Sequence, residues 1–287
     1  MSYTKFVIIG QERTGSNLLQ TLLASHSNIL SFGEIFNVDE QVRKKALWSF
    51  VWNTRNGASL IPSPTKELLS PEDVQILRAR SLKIVKPLTL EDNPAEYLAK
   101  YVYKEYPDDI KAVGFRLFYS HARNDEWKEA WEYLKSAHVK IIHLKRKNLL
   151  DRYLSYALAL RSNVWISYTI ENDAYNEPIT LDPADCFKDL NRSLLYQQQI
   201  DGFFENNLKL EVTYEALHCN LVEENRKIQQ FLGLEYQELS SKTIKQRIRK
   251  KTEIIANYNA LKQQLLFGLA NSKEWAKEEW LDFFTDE

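Results

Sequence analysis

The sequence predicts an α/β fold in which helices flank a central, mainly parallel β-sheet in three layers. Two observations support this prediction. A strand, a glycine-containing loop and an amphipathic helix follow one another over residues 6–25, and a second strand and helix follow over residues 139–160. Such alternation is typical of parallel sheets, because the connection between two parallel strands is usually a helix. The 44% hydrophobic content of the 287 residues supplies a buried core and excludes intrinsic disorder.

The individual elements follow from the local pattern of apolar residues. Short runs rich in β-branched and aromatic residues predict strands, and apolar residues spaced by three or four positions predict helices. In chain order the predicted strands cover residues 6–9, 29–32, 112–118, 139–144 and 208–213. The predicted helices cover residues 16–25, 125–137, 148–160 and 225–232, and Gly233 closes the last of them as its C-cap.

The chain is interpreted as a single domain over residues 1–287, because no repeat, low-complexity tract or linker divides it. Residues 57–94 carry five of the eight prolines, and residues 162–182 show no clear period, so residues 37–110 and residues 162–182 contain the two less regular stretches of the chain. Insertions after strand ends often carry specificity in α/β proteins. We therefore expect both stretches to be insertions on the substrate side of the sheet. Trp127 and Trp131 are expected in the core.

The charge balance and the cysteines restrict the classes of function. With 38 basic and 39 acidic side chains the formal net charge is −1, which argues against a general nucleic-acid or membrane-surface binder. Any anion site must therefore be built locally. Cys186 and Cys219 show no metal or redox spacing, and both are predicted to be small core residues in a reducing compartment.

The apolar run at residues 6–9 is too short for a signal peptide or a membrane span, and no other run approaches ~18 apolar residues. The sequence therefore predicts a soluble, cytoplasmic protein without a membrane span. No metal site is expected, because no cluster of Asp or His suggests one. The sequence leaves the oligomeric state open, a homo-oligomer included.

The first motif is the phosphate loop, residues 10–17, which reads GQERTGSN between a predicted strand and a predicted helix. In this position the backbone N–H groups and the positive end of the helix can hold a phosphate. Arg13 adds a cationic fork, and the hydroxyl groups of Thr14 and Ser16 add hydrogen-bond donors. The spacing of the two glycines matches the start of a Walker A loop, but Ser16 and Asn17 stand where that motif needs Lys and Ser or Thr.

A P-loop kinase or NTPase is therefore a disfavoured alternative. Such an enzyme needs the Walker lysine and an aspartate that holds Mg²⁺. The later strand instead ends in basic residues, His143-Leu144-Lys145-Arg146. A non-catalytic nucleotide-binding or scaffold protein is the second alternative.

The second motif lies at the end of the strand 139–144. Three consecutive cations, residues 145–147, end this strand, and Ser155 follows about two helical turns later. Cations at the carboxyl end of a parallel strand face the crevice where α/β sheets bind ligands. Ser155 could share an anion there with Arg146.

A third basic feature, residues 242–251, contains six cations and no acid, and it is interpreted either as a binding loop or as a solvated charge run.

The two motifs, in this order, resemble those of sulfotransferases that use 3'-phosphoadenosine 5'-phosphosulfate (PAPS), especially the bacterial and carbohydrate type. Residues 11–19 resemble their 5'-phosphosulfate loop. Arg146 or Lys147 together with Ser155 resembles their 3'-phosphate site; Arg146 is preferred, and the register stays open. Further segments that agree are residues 25–29 with 33–34, residues 113–117, residues 212–217 and residues 231–234.

The resemblance implies the three-layer sandwich of P-loop NTPases and a transferase that uses PAPS without a metal. The sulfuryl group would move to a hydroxyl or amine of a small-molecule, glycolipid or carbohydrate acceptor, with 3'-phosphoadenosine 5'-phosphate (PAP) as the product. The residues that this resemblance implies for cofactor binding are Arg13, Thr14, Gly15, Ser16, Asn17, Arg146, Ser155, Arg249 and Lys250.

The resemblance also implies catalytic residues. An acceptor hydroxyl needs a general base, and in the bacterial enzymes that this chain resembles, a Glu serves as base at the position of Glu34. That residue follows the predicted strand 29–32. The alternative interpretations of Glu34 are a surface carboxylate or the partner of an arginine, and His121 is the second candidate base. Arg13 is expected to stabilise the negative charge of the leaving group.

Overall fold

The computed structural model describes residues 3–48, 86–165, 177–241, 249–275 and 280–285. The described residues form five strands: β1 (Thr4–Gly10), β2 (Ile29–Phe32), β3 (Ala112–Phe118), β4 (Lys140–Lys145) and β5 (Lys209–Thr213). All pairings are parallel, and the strand order is β2-β3-β1-β4-β5. The predicted parallel sheet is therefore confirmed, and each predicted strand is present.

Ten α-helices lie within the described residues: α1 (Ser16–Ala24), α2 (Glu40–Trp48), α3 (Pro94–Tyr97), α4 (Glu129–Ser136), α5 (Leu149–Ser162), α6 (Pro183–Phe203), α7 (Tyr214–Cys219), α8 (Leu221–Leu232), α9 (Lys251–Ile254) and α10 (Tyr258–Ala270). A π-helical turn, Leu98–Val102, follows α3, and a 3₁₀ turn, Leu281–Phe284, lies near the carboxyl terminus. Gly233 ends α8 with a left-handed φ of 78°, as the sequence predicts.

The strands β1 to β4 are buried on both faces because they are apolar at most consecutive positions, whereas β5 buries Val212 alone. On β1, Val7 and Ile9 pack into one cluster, which includes residues of α2, α3 and α4, while Phe6 and Ile8 pack into another, which includes residues of α1, α7 and α8. Alternate side chains of a strand point to opposite faces. The structure therefore has the three layers that the sequence predicts.

A third apolar cluster joins α5, α6, α9 and α10 beside the sheet. The helices α6 and α10 were not predicted from the sequence. Neither helix has a clear apolar face, because few of its positions are buried and some of its apolar residues, such as Leu195 and Phe267, are exposed. The buried positions are Cys186, Asp189, Leu190, Ser193 and Ile200 on α6, and Leu261, Leu265 and Leu269 on α10.

The tryptophans and cysteines differ in how far they are buried. Trp127 and Trp131 are buried in the core, as expected. Cys186 is buried, but Cys219 is exposed, so the prediction of a core position is wrong for Cys219. The reason is that α7 has only six residues and buries Leu217 alone. Within the described residues, no helix is both long and apolar enough to cross a membrane.

The two predicted insertions and the basic run are described only in part. Residues 49–85, 166–176 and 242–248 lie outside the described residues. The described end of the first insertion contributes to the core, since Tyr97, Leu98, Val102 and Tyr103 pack in the same cluster as Phe115 of β3.

A polar network that is buried at Tyr119 and His143 and half-buried at Asp201 ties the ends of β3 and β4 to α6. The Tyr119 hydroxyl and His143 Nε2 are 2.7 Å apart, and His143 Nδ1 lies 3.0 Å from Asp201 Oδ1. Asp201 also accepts from Lys145 and Lys209, both at 2.8 Å. Burial lowers the pKa of His143 below its usual 6.5, although Asp201 acts in the opposite direction.

This network predicts a pH dependence of stability. Because the folded pKa of His143 is lowered, the unfolded chain binds a proton that the folded chain does not, so His143 reduces the free energy of unfolding as the pH falls below about 6.5. We expect the stability difference between wild type and His143→Gln to shrink as the pH falls from about 7.5 to 5.5. Urea denaturation of both proteins at several pH values measures this stability difference. A difference that does not vary with pH would contradict a lowered pKa of His143.

Candidate active site

The phosphate loop leaves β1 at Gly10 and turns sharply before α1. Arg13 and Gly15 both have left-handed backbone conformations, with φ values of 70° and 86°. The Thr14 hydroxyl closes the turn by donating to the carbonyl oxygen of Gln11 at 2.7 Å. A left-handed conformation costs a non-glycine residue about 1–2 kcal/mol, so the surrounding contacts must hold Arg13 in place.

Two buried guanidinium groups supply such contacts. Arg146 Nη1 donates to the carbonyl oxygen of Arg13 at 3.3 Å, and Arg152 Nη1 donates to the carbonyl oxygen of Glu12 at 3.5 Å. In a trans peptide the C=O bond and the following N–H bond point in opposite directions. Because the carbonyl groups of Glu12 and Arg13 face these arginines, the N–H groups of Arg13 and Thr14 face away from them. The backbone thus forms a nest of N–H groups, which is an anion-binding geometry.

The first turn of α1 extends this nest. Its N-cap is Gly15, which has no side chain to occupy the N–H groups, and no acidic residue lies in the first turn. These N–H groups have no acceptor within the helix, and the helix dipole adds positive potential. At Gly15, glycine is required by space as well as by φ, because a Cβ would lie 2.6 Å from the Tyr214 ring. At Gly10, glycine is required by space, because a Cβ would lie 2.7 Å from the Leu144 carbonyl oxygen.

The side chain of Arg13 connects the two sequence motifs. Its Nε donates to the Ser155 hydroxyl at 2.9 Å, and its Nη1 donates to the carbonyl oxygen of Trp165. Ser155 lies on α5, which begins just after the second motif. The structure therefore brings the phosphate loop and Ser155 together, although 142 positions separate the two residues in the chain.

Arg146 and Lys147 lie in different surroundings. Arg146 is buried, lies under the phosphate loop and places its guanidinium 4.5 Å from the centre of the Tyr214 ring. The side chain of Lys147 is exposed, and its backbone N–H donates to Glu215 at 3.1 Å. Arg146 thus supports the loop from behind, whereas Lys147 presents its ammonium group at the surface.

The end of the basic run contributes a residue that the sequence did not single out. Lys251 is fully buried, and its Nζ lies 3.2 Å from Oδ1 of the equally buried Asp151. It also donates to the carbonyl oxygen of Thr285. The other carboxylate oxygen of Asp151 lies 3.9 Å from Arg146 Nη2. Lys251 is therefore connected through Asp151 to the arginine that supports the phosphate loop.

The two residues that were expected to bind the cofactor near this point lie closer to the surface. Arg249 Nε is 3.5 Å from Glu253 Oε2, one helical turn away. Lys250 is exposed at the start of α9.

Glu34 lies at the end of β2, beside the first turn of α1. Its Oε1 accepts from Arg116 Nη2 at 2.5 Å, and its Oε2 accepts from Asn37 Nδ2 at 2.7 Å. The Nη1 of Arg116 donates to Asn17 Oδ1 and to the Ser16 hydroxyl, the latter at 3.3 Å. Glu34 is thus the partner of an arginine, and that same arginine contacts the end of the phosphate loop.

His121, the second candidate base, lies next to Glu34. Its Nε2 is 3.8 Å from Glu34 Oε2, and its Nδ1 accepts from the backbone N–H of Phe118 at 3.3 Å. Burial lowers the pKa of His121, and the charge of Glu34 acts in the opposite direction. A neutral imidazole whose Nδ1 accepts a hydrogen bond carries its proton on Nε2. The nitrogen that faces Glu34 is then a donor.

Three buried cations of this region were missed from the sequence: Arg116, Arg152 and Lys251. A signal existed for Arg116, since it is the single charged residue within the otherwise apolar strand AVGFRLF. A charge is costly to bury unless it is paired, so its position in a buried strand indicated a partner. Arg152 and Lys251 lie among other charged residues, and no comparable signal marks them.

Comparisons with known proteins identify the family of the chain. A sequence model described as "Sulfotransferase family" matches residues 5–238. The chain therefore belongs to the sulfotransferase family, and the resemblance that its motifs suggested is confirmed. A search of curated protein sequences finds no significant match.

Three solved structures resemble the chain at low sequence identity. A sulfotransferase from Alicyclobacillus acidocaldarius is 14% identical, with 95% of this chain and 98% of that chain covered and a TM-score of 0.47. The sulfotransferase domain from the curacin biosynthetic pathway is 13% identical, with coverages of 96% and 94% and a TM-score of 0.48. Mouse sulfotransferase SULT7A1, complexed with PAP, is 12% identical, with coverages of 100% and 75% and a TM-score of 0.37.

The buried pair of Lys251 and Asp151 predicts a large loss of stability when one partner is removed. Breaking a buried ion pair costs ~3–5 kcal/mol, because it leaves a buried charge with less compensation. We expect Lys251→Met to lower the free energy of unfolding by about that amount. The matched control is Lys250→Met, whose exposed side chain should change it by less than ~0.5 kcal/mol. Equal effects of the two variants in urea denaturation would contradict the pairing.

Proposed function

We propose that the protein transfers a sulfuryl group from PAPS to a hydroxyl or amine group of a small-molecule, glycolipid or carbohydrate acceptor, without a metal. Membership of the sulfotransferase family implies sulfuryl transfer. The observation that supports PAPS as the donor is the nest of backbone N–H groups in the phosphate loop, with Arg13 extending from that loop to Ser155.

The hydrogen-bond donors and cations of the site suit a molecule with two separated phosphate groups. The nest and the first turn of α1 would hold the 5'-phosphosulfate end, with the backbone N–H of Thr14 as its contact because the Thr14 hydroxyl donates to Gln11. Ser155, together with Arg146 or Lys147, would hold the 3'-phosphate. Arg249 and Lys250 remain proposed contacts of that phosphate. Several hydrogen bonds to a charged group reinforce one another in such a site.

When bound, PAPS supplies the sulfuryl group and leaves as PAP. The Arg13 guanidinium and the loop N–H groups stabilise the negative charge that develops on the departing phosphate. One hydrogen-bond donor aimed at a developing charge can lower the activation free energy by ~3–4 kcal/mol. These groups are held in place before the reaction, so that little reorganisation is needed.

Glu34 is proposed as the general base that accepts the proton of the acceptor hydroxyl. Its carboxylate is fixed between Arg116 and Asn37 beside the end of the phosphate loop. His121 is a poorer candidate, because its Nδ1 is occupied by the Phe118 N–H and its Nε2 carries the proton. We propose that His121 instead orients the Glu34 carboxylate.

The two alternative functions receive less support. A kinase or NTPase would need a lysine at the position of Ser16, where the structure has a hydroxyl that accepts from Arg116. A non-catalytic nucleotide-binding protein would have no use for a carboxylate fixed beside its phosphate loop. We also propose that the chain is a single cytoplasmic domain whose residues 37–110 and 162–182 contact the acceptor.

Binding of PAP tests the proposed donor. We expect isothermal titration calorimetry to show that PAP binds more tightly than ADP with Mg²⁺. Arg13→Ala should weaken PAP binding more than tenfold, since a hydrogen bond to a charged group contributes ~1.5–3 kcal/mol. The matched control is Arg161→Ala, an exposed arginine on α5 that pairs with Glu177 and should leave PAP binding unchanged.

Equal affinity for PAP and for ADP with Mg²⁺, or an unchanged dissociation constant in Arg13→Ala, would contradict the proposal. The same assay with AMP, which lacks the 3'-phosphate, compares Arg146→Ala with Lys147→Ala. The variant that loses the preference for PAP over AMP identifies the cation that binds the 3'-phosphate.

The role of Glu34 gives a second expectation. A general base contributes ~10²–10⁴ to the rate, so Glu34→Gln should lower kcat by that order while the affinity for PAP stays within a few-fold. Retained turnover would contradict the role as base, and loss of PAP binding would make Glu34 a structural partner of Arg116. Steady-state kinetics and calorimetry on the same preparation separate these outcomes.

A further inference from the structure

Arg116 is a buried cation that connects two parts of the candidate site. It lies within β3, where every residue is buried, and its side chain is 8% exposed. One guanidinium nitrogen, Nη2, contacts Glu34, and the other, Nη1, contacts Ser16 and Asn17 in the first turn of α1. The guanidinium therefore lies between a carboxylate and the proposed anion-binding end of a helix.

The backbone of Arg116 strengthens this connection. Its N–H donates to the carbonyl oxygen of Gly33 at 3.2 Å, so that β3 holds both Glu34 and the residue before it. Gly33 itself packs against α2, since a Cβ on it would lie 2.8 Å from the Ala46 Cα. Glu34 thus has little freedom to move away from Arg116.

The charges make this arrangement necessary for the proposed reaction. In the proposed reaction, the carboxylate of Glu34 and a bound phosphate would be two negative groups near the first turn of α1, which Arg116 links to Glu34. Like charges placed close together in a partly buried site repel one another strongly. A cation that contacts both the carboxylate and the helix terminus offsets this repulsion.

We propose that Arg116 is a positioning residue that allows the donor's anion and the ionised Glu34 to occupy one site. This proposal rests on the proposed function. Arg116 offsets the charge of Glu34 at the phosphate loop, and its planar fork aligns the carboxylate with α1. Two different effects follow from the loss of the charge and from the loss of the fork.

The loss of the charge is tested with Arg116→Met. We expect this variant to bind PAP at least about tenfold more weakly, because Glu34 then repels the anion. Adding Glu34→Gln removes the repelling charge, so Arg116→Met/Glu34→Gln should bind PAP within about threefold of Glu34→Gln alone. Calorimetry measures the affinities, and circular dichroism with urea denaturation verifies the fold of each variant.

The matched control is Arg43→Met. Arg43 is similarly buried, at 7% exposure, but it donates to the backbone carbonyl oxygens of Leu88, Asn37 and Val38. Any effect of its removal should not be corrected by Glu34→Gln. If Glu34→Gln restored PAP affinity in Arg43→Met as well as in Arg116→Met, its effect would be general and the proposal would be overturned.

The loss of the fork is tested with Arg116→Lys, which keeps the charge and serves also if Arg116→Met does not fold. One ammonium group cannot reproduce the planar fork that spans Glu34 and Asn17. We expect PAP affinity within about threefold of wild type and kcat reduced at least about tenfold. An unchanged kcat would overturn the positioning role.

The outcomes distinguish this proposal from the function on which it rests. A wild-type protein that does not bind PAP overturns the proposed function, and this proposal with it. A wild type that binds PAP, combined with an Arg116→Met defect that Glu34→Gln leaves uncorrected, overturns this proposal alone. That result would indicate a direct contact between Arg116 and the donor.

Discussion

The hydrogen bonds from two buried guanidinium groups to the carbonyl oxygens of the phosphate loop are the contacts on which the site depends. Arg146 and Arg152 hold the carbonyl groups of Arg13 and Glu12 on the inner side of the loop. The following N–H groups must then face the other side, because the peptide is planar and trans. A loop whose arginine has a left-handed φ would otherwise relax, and the nest would be lost.

Burying these arginines requires compensating charge, and this requirement links distant parts of the chain. Asp189 pairs with Arg152, while Asp151 lies between Arg146 and Lys251. Lys251 in turn holds the carbonyl oxygen of Thr285 near the carboxyl terminus. Residues far beyond the two motifs therefore support the loop, and a near-neutral protein obtains a locally cationic site by distributing its ion pairs unevenly.

The sequence predicted the sheet and the loop because both have local signals. The strands β1 to β4 are mostly apolar runs, β5 alternates apolar and polar residues, and the loop combines Gly10 and Gly15 with polar residues between a strand and a helix. The contacts between distant residues had no such signal. The pairing of Arg13 with Ser155 spans 142 positions, and the partners of Arg116 and Lys251 are set by how strands and helices pack, which no local period encodes. The exposure of Cys219 also had no local signal in the sequence, because it depends on how little of α7 is buried.

The same packing gives the site its chemical asymmetry. Arg13 reaches outward from the loop to α5, whereas Arg116 lies within the sheet and faces Glu34. One side of the loop therefore combines cations with hydroxyl groups, and the other side holds a carboxylate whose charge is offset by its own arginine. The proposed transfer from an anionic donor to an acceptor hydroxyl would use both environments, one for the leaving group and one for the acceptor's proton. Because both are fixed by the strands of one sheet, their separation is set when the chain folds, before either substrate binds.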